Sequence, residues 1–233
     1  MRVNRTQAPT GVGGSTTGRV GDGEPDEPAP WAVIATTDLH RDDWVVALRK
    51  DTVRRVHTGD RPENAVPRLV LEHPGSAVVL AIDDDEQVVC LEQYRHSMGR
   101  RFVELPGGLC DSSYEAPLDV ARRELREETG LVAGHWQPLS QTWPSLGMST
   151  ESVHVFLARE LTAAPASDYV REHEEADIQV FRVPFMTLLD SVIDGTVGNA
   201  QLIIAVMTFQ LRQLYRPSSL EPVGSLRSSG AAQ

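Results

Sequence analysis

Arg123-Glu-Leu-Arg-Glu-Glu-Thr-Gly-Leu131 is the stretch on which the reading of this chain turns. Pro117 sits where a helix would take its first turn, and Gly130 lies just past where it would stop, so a helix is predicted over about 117–129. At about 100° per residue, Glu124, Glu127 and Glu128 share one face roughly 100° wide. Leu118 and Leu125 fall on another face and can bury against a sheet. Left to itself, the acidic face is costly. Like charges four residues apart repel by about 0.2–0.5 kcal/mol, and carboxylates in a last turn oppose the helix dipole by about 0.3–1 kcal/mol each. Arg123 can offset part of this by pairing with Glu127. One reading is a solvated, salt-bridged surface helix. The other is that the three carboxylates hold Mg²⁺, a hard cation that takes oxygen ligands in octahedral geometry and keeps some of its waters.

Outward from this helix, the chain reads as strands with helices interspersed. Short β-branched runs at Trp31–Thr36, Trp44–Lys50, Asp51–Thr58 and Arg68–Glu72 predict strands. Ser76–Ile82 and Val88–Glu92 flank the acidic turn Asp83-Asp84-Asp85-Glu86 and read as a hairpin. Arg101–Leu105 is a further strand, closed by Pro106-Gly107-Gly108. Beyond the helix, strands are predicted at Trp136–Thr142, Ser152–Glu160 and Ile178–Pro184. Helices follow at Phe185–Ile193 and at Ala200–Leu214, the second capped by Asn199. This mixture predicts an α/β (α+β) sandwich.

The 233 residues allow one ordinary domain with extensions, or two small ones, and 40% apolar content is enough for a buried core. Residues 1–30 and 216–233 are poor in large apolar groups and are expected to be disordered tails. Between them a β-rich segment over 31–70 precedes a main domain over 71–215. A formal charge of −11 argues against a general nucleic-acid binder, which presents a basic surface. An acidic protein acting on an anionic ligand must find positive charge locally, in a metal ion or in arginines. Cys90 and Cys110 lack metal-ligand spacing and read as free thiols of a reducing cytoplasm. No apolar run approaches the roughly 20 residues of a membrane span, so a cytoplasmic protein without a membrane partner is expected.

The helix stretch also carries a resemblance. Glu115, seven residues, then Arg123-Glu124-Leu125-Arg126-Glu127-Glu128-Thr129-Gly130-Leu131 resembles the signature of the Nudix hydrolases, Gly-x5-Glu-x7-Arg-Glu-(Leu/Ile/Val)-x-Glu-Glu-x-Gly-(Leu/Ile/Val). It departs at one point: six residues rather than five separate Gly108 from Glu115, which reads as an insertion in the loop before the helix. The resemblance implies an α/β/α sandwich with a mixed sheet and a Mg²⁺-dependent enzyme, Mn²⁺ being the other candidate, that hydrolyses a diphosphate bridge. It implies that Glu124 and Glu128 are the main metal ligands, supported by Glu127, with the Gly107 carbonyl as a main-chain ligand. Arg123 and Glu115 would hold the loop–helix–loop in shape, although Glu115 reads equally well as an ordinary helix-start carboxylate.

Glu92-Gln-Tyr-Arg95 and Arg101-Phe-Val-Glu-Leu-Pro-Gly-Gly108 look like the ADP-ribose pyrophosphatase branch, which implies substrate contacts for Arg95 and Glu104. A guanidinium at Arg95 could grip a phosphate through two bonds. In Glu172-His-Glu-Glu-Ala-Asp-Ile178 the resemblance implies a glutamate acting as general base or added metal ligand, Glu174 first and Glu175 second. His96 is expected to pack or face solvent. Ser145-Leu146-Gly147 departs from the branch, which usually has Pro where Leu146 stands. The expected partner is therefore a small nucleoside-diphosphate derivative, ADP-ribose first and a nucleotide sugar next, handled by a homodimer. Trp31 and Trp44 are read as core residues, or else as contacts of that dimer. The rivals are a non-catalytic ligand sensor, against which the intact glutamates argue, and an isoprenoid-diphosphate isomerase, for which neither cysteine has supporting context.

Overall fold

The computed structural model describes residues 31–56, 64–112, 114–165 and 176–220. The expected tail over 1–30 and most of that over 216–233 lie outside them, as do Glu174 and Glu175. Within the stretch expected as a C-terminal tail, Pro217–Leu220 forms a short 3-10 turn, and Leu220 packs partly buried against the core.

The strands of the described residues form three sheets. The first is antiparallel, in the order β1-β2-β3: β1 (Trp31–His40), β2 (Ala47–Arg55) and β3 (Val66–Glu72). The two strands expected at 44–50 and 51–58 are one. Lys50 and Asp51 carry no turn residue between them, and both pair in unbroken sequence with Thr37 and Thr36 of β1. Asp51 is buried here, yet it accepts from Thr36 Oγ1 at 2.9 Å and from Arg49 Nε at 3.1 Å, so its charge is satisfied.

The two other sheets share the main core. The central one is mixed and four-stranded, in the order β7-β4-β9-β8. It comprises β7 (Gly107–Leu109), β4 (Ser76–Ala81), β9 (Val153–Ala163) and β8 (Leu131–Thr142), with β4 and β9 parallel. The third holds β10 (Gln179–Pro184), β5 (Gln87–Arg95) and β6 (Arg100–Glu104). The hairpin expected between β4 and β5 reduces to one bridge, Ile82↔Val88. β4 is flanked on both edges by β7 and β9, and β5 by β10 and β6, so neither edge is left for the other strand. A run buried on both faces has the same pattern whichever neighbour it takes.

β4 explains the layering. Its alternate residues Ala77, Val79 and Ala81 pack with Val120, Ala121 and Leu125 of α1 (Pro117–Thr129). Leu80 and Ile82 face the opposite way, into a cluster with Phe185, Leu188 and Leu189 of α2 (Phe185–Ile193) and Leu202, Val206 and Phe209 of α3 (Ala200–Tyr215). The result is the expected α/β/α sandwich around a mixed sheet. α1 forms over the predicted residues, with Pro117 at its start and Gly130 closing it at φ 68°, its amide donating to the Arg126 carbonyl. Asn199 Oδ1 accepts from the Leu202 amide at 2.9 Å and so caps α3. Trp31, on β1, and Trp44, in the loop between β1 and β2, are not core residues: they are 46% and 73% exposed.

Candidate active site

Two glycines bring β7 against α1. A Cβ on Gly107 would meet the Ala77 carbonyl oxygen at 2.4 Å, and one on Gly108 would meet Glu124 Oε1 at 2.1 Å. Only residues without side chains let the strand lie this close to both β4 and the helix. The contact is also polar, since the Gly107 amide donates to Glu128 Oε2 at 2.8 Å. Glu128 is thereby buried on the helix's inner edge with its carboxylate oriented by the backbone. The Gly107 carbonyl is the expected main-chain ligand, and it is the amide of the same residue that meets the helix.

The neighbouring acidic side chains are held by one cation. Arg123 Nε donates to both oxygens of Glu115 at 3.2 Å, while its Nη1 bridges Glu124 Oε1 at 2.7 Å and Glu127 Oε2 at 3.2 Å. The expected Arg123–Glu127 pair is therefore part of a four-residue cluster. Burial alone works against a charged guanidinium, but the charge of Glu124 and the contacts with Glu127 and Glu115 outweigh it and hold Arg123 above its ordinary value.

This cluster lines one side of a cleft of about 1470 Å³, above the roughly 300–1000 Å³ common for small-molecule sites. Arg95, at the end of β5, and Glu104, at the end of β6, stand on another side. They form a fork, Arg95 Nε to Glu104 Oε1 at 2.9 Å and Nη2 to Oε2 at 2.7 Å. The two residues expected to contact a ligand are thus joined to each other, with Arg95 half exposed and Glu104 buried. Trp44 reaches the rim from the loop between β1 and β2, where its amide donates to Asp42 Oδ1 at 2.9 Å. Phe102, Met98 and Gln201 complete the wall. The sequence offered no local signal for these last four: they are ordinary residues of three separated stretches, at 44, 98–102 and 201, brought together only by folding. His96 is exposed, as expected. Of the segment expected to hold a base, the described part begins at Ala176, and Arg101 Nη2 donates to the Asp177 carbonyl there at 2.6 Å.

The cleft is acidic. Glu115, Glu124, Glu127 and Glu128 line it from the α1 side and are joined by Glu104, Asp111 and Glu151, against Arg95 and Arg123. An anionic ligand cannot enter such a lining without cations to offset it. Carboxylate oxygens are the donors a hard divalent ion takes, so Glu124, Glu127 and Glu128 suit one by their chemistry. Among the described residues no three acidic, histidine or cysteine side chains converge to hold a metal. Glu124 and Glu127 are engaged by Arg123, and Glu128 by the Gly107 amide. Cys110, near this lining, is held above its usual value by burial and then by Glu115, and Cys90, in the core, is pushed up to about 12 by burial. Both are protonated at neutral pH and are not poised as nucleophiles.

The NUDIX domain family matches residues 71–202. An ADP-ribose pyrophosphatase of Mycobacterium tuberculosis (strain ATCC 25618 / H37Rv) is 39% identical over 163 residues, which cover 70% of this chain and 75% of the relative. A GDP-mannose pyrophosphatase of Enterobacter sp. (strain 638) is 29% identical, over 60% of this chain and 75% of that one. The crystal structure of an ADP compounds hydrolase has the same fold, at a TM-score of 0.62 and 16% identity. The match covers 81% of this chain and 97% of that one.

Proposed function

Because this chain belongs to the NUDIX family, it is a pyrophosphohydrolase, and we propose that its substrate is ADP-ribose, split by water into AMP and ribose 5-phosphate. The observation that supports this reading is a single cleft with the α1 carboxylates on one side and the Arg95–Glu104 fork on another. A divalent metal, Mg²⁺ first and Mn²⁺ next, supplies charge neutralisation and an oriented, acidified water when bound. Glu124 and Glu128 would hold it with Glu127 in support and the Gly107 carbonyl as a main-chain ligand. The Gly107 amide keeps Glu128 aimed, and Gly108 leaves room for Glu124. Arg95 would take a phosphate oxygen while Glu104 fixes its orientation, a charge-assisted contact. Proton removal from the attacking water falls to Glu174, with Glu175 as the alternative; both lie outside the described residues.

Trp44 stands at the rim with its indole exposed, where it can stack on a nucleobase. A nucleotide sugar is the second reading, favoured by the GDP-mannose relative and by Leu146 where the ADP-ribose branch has Pro. Incubation with Mg²⁺ and ADP-ribose, NADH, diadenosine polyphosphates, UDP-glucose and GDP-mannose, with the products resolved, separates the readings. ADP-ribose is expected to turn over fastest. A faster sugar nucleotide would move the substrate to the second reading, and no turnover of any would remove both.

The exposed apolar side chains Trp31, Val33, Ile34 and Leu39 of β1 support a homodimer through the first sheet. Light scattering on the eluting protein should give twice the 25.6 kDa chain mass. Among the described residues no helix is long and apolar enough to cross a membrane. Two free thiols fit a reducing cytoplasm.

A further inference from the structure

We infer that Arg123 is a built-in counter-ion which a divalent metal must displace, so that this residue sets how tightly the cleft takes up its metal. The inference rests on the metal-dependent reading above and concerns one atom of the chain. Arg123 Nη1 lies within hydrogen-bond distance of Glu124 Oε1 and Glu127 Oε2 at once, on the face where the carboxylates would take up a cation. Charge accounts for the arrangement. Glu115, Glu124, Glu127 and Glu128 crowd one helix turn and the loop before it, and all four side chains are largely withdrawn from solvent. Without a cation, repulsion among them would oppose folding of α1.

The guanidinium meets that need, and its position has a second consequence. A fork spread over three carboxylates holds Glu124 and Glu127 in place while occupying oxygens that a metal needs. The two cations compete for the same lone pairs. Glu115 gives the displaced guanidinium somewhere to remain: Nε bonds both of its oxygens at 3.2 Å, independently of Nη1. Arg123 can therefore release Glu124 and Glu127 without leaving the cluster. A residue that only braced the carboxylates would strengthen metal uptake. A counter-ion weakens it, and this difference in sign makes the roles separable.

The test is a Mn²⁺ titration of the full chain followed by the electron paramagnetic resonance of free Mn²⁺, with thermal melts in the presence and absence of the metal. Arg123→Gln, which removes the charge and keeps a donor, should bind Mn²⁺ at least about threefold more tightly than wild type, since a unit charge a few ångströms from the site is gone. Its metal-free form should melt lower, and its rise in Tm with Mn²⁺ should exceed the wild type's. Arg123→Lys, a point charge without the fork, should fall between the two, and it decides the matter alone if Arg123→Gln does not fold. Binding equal to or weaker than wild type in the folded variants overturns the counter-ion role and leaves Arg123 a brace. A wild type that takes up no Mn²⁺ at millimolar concentration overturns the metal reading itself, and this inference with it.

Discussion

At the scale of single residues, the site separates chemistry from folding at two positions. Glu128 accepts a hydrogen bond from the Gly107 amide at 2.8 Å, and a glutamine oxygen can accept the same bond. Glu128→Gln should therefore keep the melting temperature within a few degrees while metal-dependent turnover is lost. Unimpaired turnover would remove Glu128 from the metal site. Gly108 makes the converse case. An added methyl group would lie 2.1 Å from Glu124 Oε1, so the carboxylate must swing away. Glu124 is a flexible side chain and the fold can absorb this at about 1–3 kcal/mol. The displaced carboxylate should nevertheless lower kcat by about 10²-fold, the usual scale for an ångström of misplacement. Equal kcat in Gly108→Ala would show that Glu124 does not act where it stands.

At the scale of elements, α3 and α1 reach the same cleft by different means. α3 has a side-chain cap, Asn199 Oδ1 on the Leu202 amide, and Asn199→Ala should cost about 1 kcal/mol. In a chain of this size that lowers Tm by about 2–4 °C. A larger fall, measured by calorimetry, would mean that Asn199 does more than cap. α1 has no side-chain cap at Ala116 and starts on Pro117, so its stability depends on packing of Val120, Ala121 and Leu125 against β4. Both helix boundaries were legible in the sequence, because proline, glycine and asparagine act within one turn of where they stand. The partners of β4 were not. An apolar run buried on both faces does not specify its neighbours, and the predicted β4–β5 hairpin gave way to a crossing between two sheets.

For the whole molecule, Phe209 joins the layers. It lies buried on α3, edge to face with Phe185 of α2 at 5.1 Å, and Arg159 of the central sheet sits over its ring at 5.5 Å. Phe209→Ala should destabilise by about 3–5 kcal/mol, a large part of the 5–15 kcal/mol that ordinarily holds a domain folded. Urea unfolding measures this directly. A loss below about 1 kcal/mol would mean that the core closes over the gap.

What this sequence settled by itself is whatever local spacing controls: the span of α1, the shared face of Glu124, Glu127 and Glu128, the Gly130 stop of α1, the Asn199 cap of α3 and the acidic balance that calls for a cation. Side chains three and four residues apart on a helix meet whatever surrounds them. Only the tertiary structure decided that Arg95 and Glu104 form a fork, that Trp44 lies at the rim and not in the core, and that Gly107 meets Glu128 through its amide. Each of these joins residues from different elements. Their distances follow from strand order and layer packing, which no local window of sequence encodes.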